Sequence, residues 1–265
     1  MNTDRERSAD GKWEQSEDIA SLFFERKNMG HSKKPLDARL RAAADMVLEA
    51  IHDISMPCVA DIGCDHGFVT AYLIRQRPDI HMIASDISEA SLKKTEILLS
   101  QTGLDQNVEV ICGDGLKVLE SKKADAVLIA GMGGETIRQI LEEGIDYCAS
   151  ADLFLQANTD VPLLREGLAG IGLGIARESF PEAGGRRYVI IEASKKAEVL
   201  SSPESWLLGT AVNGISSQGQ RAYLTRMLEQ MRGTHAKLME SGTKRSQAKV
   251  PEIEKTIEIL ERVLL

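Results

Sequence analysis

The chain has 265 residues, 43% of them apolar and 27% charged, with a formal net charge of −8. That length supports one sizeable core plus a smaller appendage. No run approaches the roughly 20 apolar residues of a membrane helix, and the acidic balance argues against indiscriminate nucleic-acid binding. The opening MNTDRERSADGKWEQSED is polar, mixed in charge and lacks an apolar h-region, so no secretory leader is expected. Residues 1–20 read as a frayed tail. A local basic patch follows in RKNMGHSKKPLDARLR, with Arg26, Lys27, Lys33, Lys34, Arg39 and Arg41. It reads equally as a solvated face. Four cysteines occur, at 58, 64, 112 and 148, with no CxxC pair. Cys58, Cys64 and Cys112 lie in or beside predicted strands as small buried residues, which fits a reducing cytoplasm and no metal site.

Leu36, Leu40, Ala43, Ala44, Val47 and Ile51 keep helical spacing over 36–51, and Pro57 ends that region. Short apolar runs then recur at 58–62, 80–85, 107–112, 125–130 and 151–156. Amphipathic stretches separate them at 67–77, 88–102, 134–143 and 160–169. Such alternation predicts right-handed crossovers and a mostly parallel sheet. Residues 171–179 and 186–193, joined by a loop holding Gly184 and Gly185, predict a final antiparallel pair. Ser201-Ser202-Pro203 breaks the pattern. Leu224, Met227, Leu228 and Met231, then Ile253, Ile257, Leu260 and Val263, predict a two-helix antiparallel hairpin over 216–240 and 251–264.

A parallel α/β sheet binds its ligand beyond the carboxyl ends of its strands. After the first strand come Asp61, Gly63, Asp65 and Gly67, in the spacing D-x-G-x-D-x-G with His66 inside. Two carboxylates would repel a pyrophosphate, which prefers bare amides at a helix N-terminus. They would attract an ammonium or a sulfonium. The acids therefore favour S-adenosylmethionine over a nicotinamide dinucleotide, although Asp65 could instead cap the next helix. Asp86 ends the second strand, with Ile87 beside it, where an acid accepts from ribose hydroxyls. Gly113-Asp114-Gly115-Leu116 follows the third strand, with an acid placed for an adenine amino group. Gly131, Met132, Gly133 and Gly134 follow the fourth and form a floor poor in side chains. No P-loop Lys-Ser/Thr comes after them. Asn158 follows the fifth strand and either addresses a base edge or caps the next helix.

LDARL, VADIGCDHG, IASD, CGDGL, IAGMGGETI, LQANTD and GGRRYVIIEA occur in this order. Together they resemble the bacterial tRNA (adenine(22)-N1)-methyltransferase family, TrmK, across about residues 35–194, and the helical tail resembles that family's C-terminal coiled coil. The resemblance implies a Rossmann-like class I methyltransferase sheet with an antiparallel last strand. It divides the chain into a polar extension (1–30), a methyltransferase domain (31–200) and a helical domain (201–265). It also implies tRNA as substrate. Asp61, Gly63, Asp65 and His66 match the family's DIG-x-DH motif, Asp86 its ribose acid, Asp114 and Gly115 its GDGL, and Gly131 to Gly134 its GMGG. The chain departs from it at Asp37-Ala38-Arg39-Leu40, Gly67–Thr70, Ser88–Ser91 and Ala157-Asn158.

The expected chemistry is in-line attack of adenine N1 on the sulfonium methyl, driven by proximity and orientation. Asp65 is the expected stabiliser of the developing cation, with Asn158 orienting the base and His66 shaping the pocket. Extracting the base from its stack costs a few kcal/mol. Segment 26–41 and the tail cations Arg221, Arg226, Arg232, Lys237, Lys244, Arg245 and Lys249 are the expected tRNA backbone contacts. A cytoplasmic monomer with no membrane association is expected. A small-molecule methyltransferase, a nicotinamide oxidoreductase and a noncatalytic RNA-binding relative are the rival readings.

Overall fold

The computed structural model describes residues 36–148 and 150–265. Residues 1–30, and Arg26, Lys27, Lys33 and Lys34 of the basic segment, lie outside the described residues. Residues 36–265 form one compact unit.

The periodic stretch after Leu36 is helix α1 (Ala38–Ala50), whose first turn is capped by the Asp37 side chain accepting from the Arg39 N–H. The alternation beyond it becomes β1 (Cys58–Ile62), α2 (Phe68–Gln76), β2 (His81–Asp86), α3 (Glu89–Thr102) and β3 (Val108–Cys112). It continues with β4 (Ala126–Met132), α4 (Gly134–Gly144), β5 (Asp152–Ala157) and α5 (Val161–Gly170). These strands are nearly all apolar because helices cover both faces of the sheet. One layer joins α4 and α5 through Ile137, Leu141, Leu164 and Leu168. The other joins α1, α2 and α3 through Val47, Val69, Leu73 and Leu99.

Two further strands, β6 (Gly174–Ser179) and β9 (Val189–Ser194), complete a seven-stranded sheet of order β3-β2-β1-β4-β5-β9-β6. The first five strands are parallel, and β9 runs antiparallel to both β5 and β6. The expected plain loop between the last two strands is itself a hairpin of β7 (Glu182–Ala183) and β8 (Arg186–Arg187), because Gly184 and Gly185 both take positive φ and close a tight turn.

Ser202-Pro203 starts an element rather than ending one. Ser202 caps the short helix α6 (Pro203–Leu208) and Pro203 occupies its first turn, where a missing N–H costs nothing. The tail is a hairpin of α7 (Gln218–Ser241) and α8 (Lys244–Leu264) turning at Gly242. It is antiparallel, as His235–Glu254 and Arg232–Glu261 pairs and the Arg221 bond to the Leu264 carbonyl show. Helix α8 begins seven residues before the expected 251, because Thr243 caps it and it continues through Pro251.

A buried network joins this tail to the sheet. Arg165 of α5 and Glu178 of β6 pair at 2.8 Å with both side chains fully buried. Arg165 also donates to the Trp206 and Leu207 carbonyls. Glu178 accepts from the N–H and hydroxyl of Thr210, and Thr210 in turn accepts from Gln220 of α7.

Candidate functional site

The strand order reverses between β1 and β4, so the loops after those strands diverge and open a crevice at the carboxyl edge. Gly63 lies on one side of this seam at φ +77°, and a Cβ there would stand 2.1 Å from Met132 Cε. The tip of Met132 could swing aside, so it is the left-handed backbone at 63 that calls for glycine, and the Met132 side chain fills the space this leaves at the seam.

Loops after β1 and β2 build a first cluster. Asp61 lies beneath it, 3% exposed, accepting from the Thr70 hydroxyl at 2.7 Å. Burial pushes its carboxyl up to about 6 against the pull of Thr70. Asp65 adopts left-handed backbone geometry at φ +50°, which aspartate tolerates better than most side chains. Its N–H donates to Asp86 Oδ2 at 3.1 Å, while Ser88 N–H donates to Asp86 Oδ1 at 2.8 Å. Each Asp86 oxygen keeps a free lone pair. The Asp65 carboxylate is exposed, accepting from Ser91 and from His66 Nδ1. Lys94 is donor-only, so His66 Nε2 accepts from it and Nδ1–H faces Asp65. The His66 ring stacks on Phe68 at 5.8 Å. Gly67 takes φ +72° as the N-cap of α2, facing Thr95. Ile87 is 75% exposed at the cluster's edge, an apolar side chain with no packing duty. Asp114, beyond β3 and just before Gly115, pairs with Lys117 at 2.7 Å, leaving its second oxygen open.

A second cluster forms where β4 and β5 end. The ladder between them skips a residue at Gly131, a bulge with φ +83°. Its backbone groups turn from the ladder to side chains. Gly131 N–H donates to Gln156 Oε1 at 3.1 Å, and its carbonyl accepts from Asn158 Nδ2 at 2.7 Å. Arg39 of α1 reaches across and donates through Nη1 to both Gln156 Oε1 and Asn158 Oδ1. Its guanidinium lies 5.1 Å over the Tyr188 ring, a cation–π arrangement.

The structure keeps the expected catalytic residues apart in two networks: Asp65 and His66 in the first, Asn158 in the second. No hydrogen bond or ion pair links the networks among the described residues. Arg39, expected with the basic segment, instead turns inward, its side chain 14% exposed. Arg41 remains outside beside Asp45. Among the tail cations, Arg221, Arg226 and Arg232 engage the Leu264 carbonyl, the Gly185 carbonyl and Glu261. Lys237, Lys244, Arg245 and Lys249 are exposed. Sequence reasoning missed Arg39, Gln156 and Tyr188 as site residues.

None of the cysteines forms a disulfide. Cys64 is buried and its thiol is pushed up to about 12 by desolvation, so it is a poor nucleophile. Cys112 is exposed, contrary to expectation, because β3 is the sheet's edge strand and Cys112 ends it. Among the described residues no helix is long and apolar enough to cross a membrane.

A methyltransferase-domain family matches residues 36–191, the stretch that carries both clusters. The chain belongs to this methyltransferase family. It is 33% identical over 136 residues to the tRNA (adenine(22)-N(1))-methyltransferase of Bacillus subtilis; the match spans 51% of this chain and 57% of that protein. The chain thus spans little more than half the length of this curated relative. The crystal structure of the B. subtilis m1A22 tRNA methyltransferase TrmK superposes with a TM-score of 0.74 at 25% identity, covering 87% of this chain and 99% of that one. The M. capricolum TrmK structure, in complex with the cofactor product S-adenosyl-homocysteine, gives 0.71 at 22% identity, covering 86% and 97%. The fold and the resemblance expected from the sequence are borne out by these matches.

Proposed function

We propose that this methyltransferase transfers a methyl group from S-adenosylmethionine to N1 of an adenosine in tRNA, at position 22 as in its relatives, acting as a cytoplasmic monomer. The carrying observation is the pairing of an acid-rich cluster with an amide-and-carbonyl floor across one crevice. A dinucleotide pyrophosphate would meet the exposed Asp65 carboxylate there and be repelled.

The first cluster fits the cofactor. Asp86 has an unspent lone pair on each oxygen for a ribose diol, and exposed Ile87 offers an apolar face for adenine. The free oxygen of Asp114, next to Gly115, can take an adenine amino group. Asp65 and the loop of Asp61, Gly63 and Gly67 face the cationic methionine end. Gly131 and Met132 form the floor on the far side. When bound, S-adenosylmethionine supplies the electrophile: the N1 lone pair forms the new N–C bond as C–S breaks, and that pair leaves on a neutral thioether.

The protein's own work is orientation. Its acids keep the region around the transferring charge negative, with Asp65 presenting an exposed carboxylate and His66 held between Lys94 and Asp65 as a wall. Asn158, immobilised by Arg39 and Gly131, faces the base. The exposed tail cations Lys237, Lys244, Arg245 and Lys249 supply backbone contacts to tRNA. The test is transfer of labelled methyl from S-adenosylmethionine to unmodified bacterial tRNA, followed by nucleoside mass spectrometry. The expected product is 1-methyladenosine. Cofactor binding with no methylated nucleoside, or with a different one, overturns the reading.

A further inference from the structure

N1 must keep its lone pair free to attack, so the enzyme cannot recognise adenine by hydrogen-bonding N1. The second cluster offers an alternative. Arg39 is donor-only, so the Asn158 atom facing it is the amide oxygen. The Gly131 carbonyl is acceptor-only, so the atom facing it is the amide nitrogen. The Asn158 orientation is therefore fixed by its partners. Gln156 is fully buried, and all its capacity is spent: Oε1 accepts from Arg39 and Gly131 N–H, while Nε2 donates to the Ala157 carbonyl and to Asn158 Oδ1.

Two unspent groups remain side by side. One is the second lone pair of the Gly131 carbonyl, which the bulge turns out of the ladder. The other is the second N–H of Asn158 Nδ2. These atoms lie 2.7 Å apart, and both residues are exposed. An acceptor beside a donor at that separation complements the N6 amino group and N7 of adenine.

We infer that the target adenine is read on its Hoogsteen edge, N6–H donating to the Gly131 carbonyl and N7 accepting from Asn158 Nδ2, with Arg39 as the positioning residue that fixes the amide. This rests on the function proposed above and names how the base is chosen. Guanine is excluded, because its O6 would face the Gly131 carbonyl, acceptor against acceptor. The arrangement also aids the reaction. As N1 gains the methyl, positive charge spreads through C6 to the amino group, N6–H becomes a stronger donor, and its bond to Gly131 tightens in the transition state.

The test uses the full-length enzyme and two synthetic tRNAs, one with adenosine at position 22 and one with 7-deazaadenosine there. Replacing N7 by C–H removes the acceptor and leaves N1 at least as basic, so intrinsic reactivity does not fall. Wild-type kcat/KM should drop about ten-fold or more on the 7-deaza substrate, because the Asn158 N–H loses its partner. Asn158→Ala, checked for unchanged S-adenosylmethionine affinity, should methylate the two substrates at equal rates. Equal wild-type rates on both tRNAs overturn the inference, whether or not the variant folds. Absence of 1-methyladenosine from the unsubstituted tRNA is the separate result that overturns the proposed function itself.

Discussion

Two arginines, each reaching from a helix into a polar network, divide the molecule's buried chemistry. Arg165 meets Glu178 with both side chains fully buried, and the Glu178 oxygens are taken up by Arg165 and Thr210. Arg165 Nη2, with its two N–H groups, lacks a partner, and it lies against Gly209 rather than solvent. Arg39 meets Gln156 and Asn158 at the crevice, and that network ends in exposed groups with capacity left over. The first network is sealed from solvent and ties the tail to the sheet. The second is open on one side, as a site must be. Geometry of the arginine itself does not separate the two roles. What separates them is whether the unspent groups are open to solvent, as at Gly131 and Asn158, or sealed inside, as at Arg165 Nη2.

Breaking the closed network should cost the most stability. Glu178→Ala leaves Arg165 charged and buried without its partner, and should lower unfolding free energy by about 3–5 kcal/mol. Urea titration checks this, and S-adenosylmethionine affinity of the remaining folded protein should be unchanged.

Asp61 gives the next effect, and it depends on pH. Burial raises its folded carboxyl to about 6 against about 3.9 in the unfolded chain. The folded state therefore holds protons more tightly, and stability is lost as pH rises from about 4 through about 6. Asp61→Asn removes that loss, since an amide oxygen can still accept from Thr70. The variant should be more stable than wild type by up to about 3 kcal/mol at pH 7.5 and equal to it near pH 4. Equal stabilities at pH 7.5 would show that Asp61 is solvated in the folded protein.

Gln156→Leu tests the open network. It strips partners from Gly131 N–H, the Ala157 carbonyl and Arg39, and should cost about 2–3 kcal/mol. Methyl transfer by the folded fraction should fall more than cofactor affinity does. The smallest effect belongs to the tail surface. Arg232→Ala breaks an exposed pair with Glu261 and should change stability by less than about 1 kcal/mol in thermal unfolding.

The same contrast explains what could be read from the sequence. The first cluster was legible because its parts fall at the carboxyl ends of successive strands: Asp61 near the end of β1 with Gly63 to Gly67 just beyond it, and Asp86 as the last residue of β2. Each loop announces itself by an acid or glycine directly after an apolar run. Of the second cluster only Gly131 and Asn158 were legible, as the glycine floor after β4 and the amide after β5; the Arg39–Gln156 link was not, because those residues are 117 positions apart and nothing local joins them. Arg39 stood among other basic residues and read as one more surface cation. A single signal was present. Gln156 ends the apolar run DLFLQ in a central strand, and a buried amide there demands partners. The Gly131 bulge had no signature beyond its glycine. At the tail, Ser202-Pro203 read as a break because the same residues that stop one element can cap the next.

The most direct test of the division between scaffold and site is single-turnover methyl transfer by Arg39→Met to unmodified tRNA, at saturating S-adenosylmethionine. The guanidinium is the pin that orients Asn158, and it touches no group of the first cluster. The expected result is a rate reduced about 100-fold with cofactor affinity unchanged. Transfer at the wild-type rate, or a matching loss of cofactor affinity, would contradict the account.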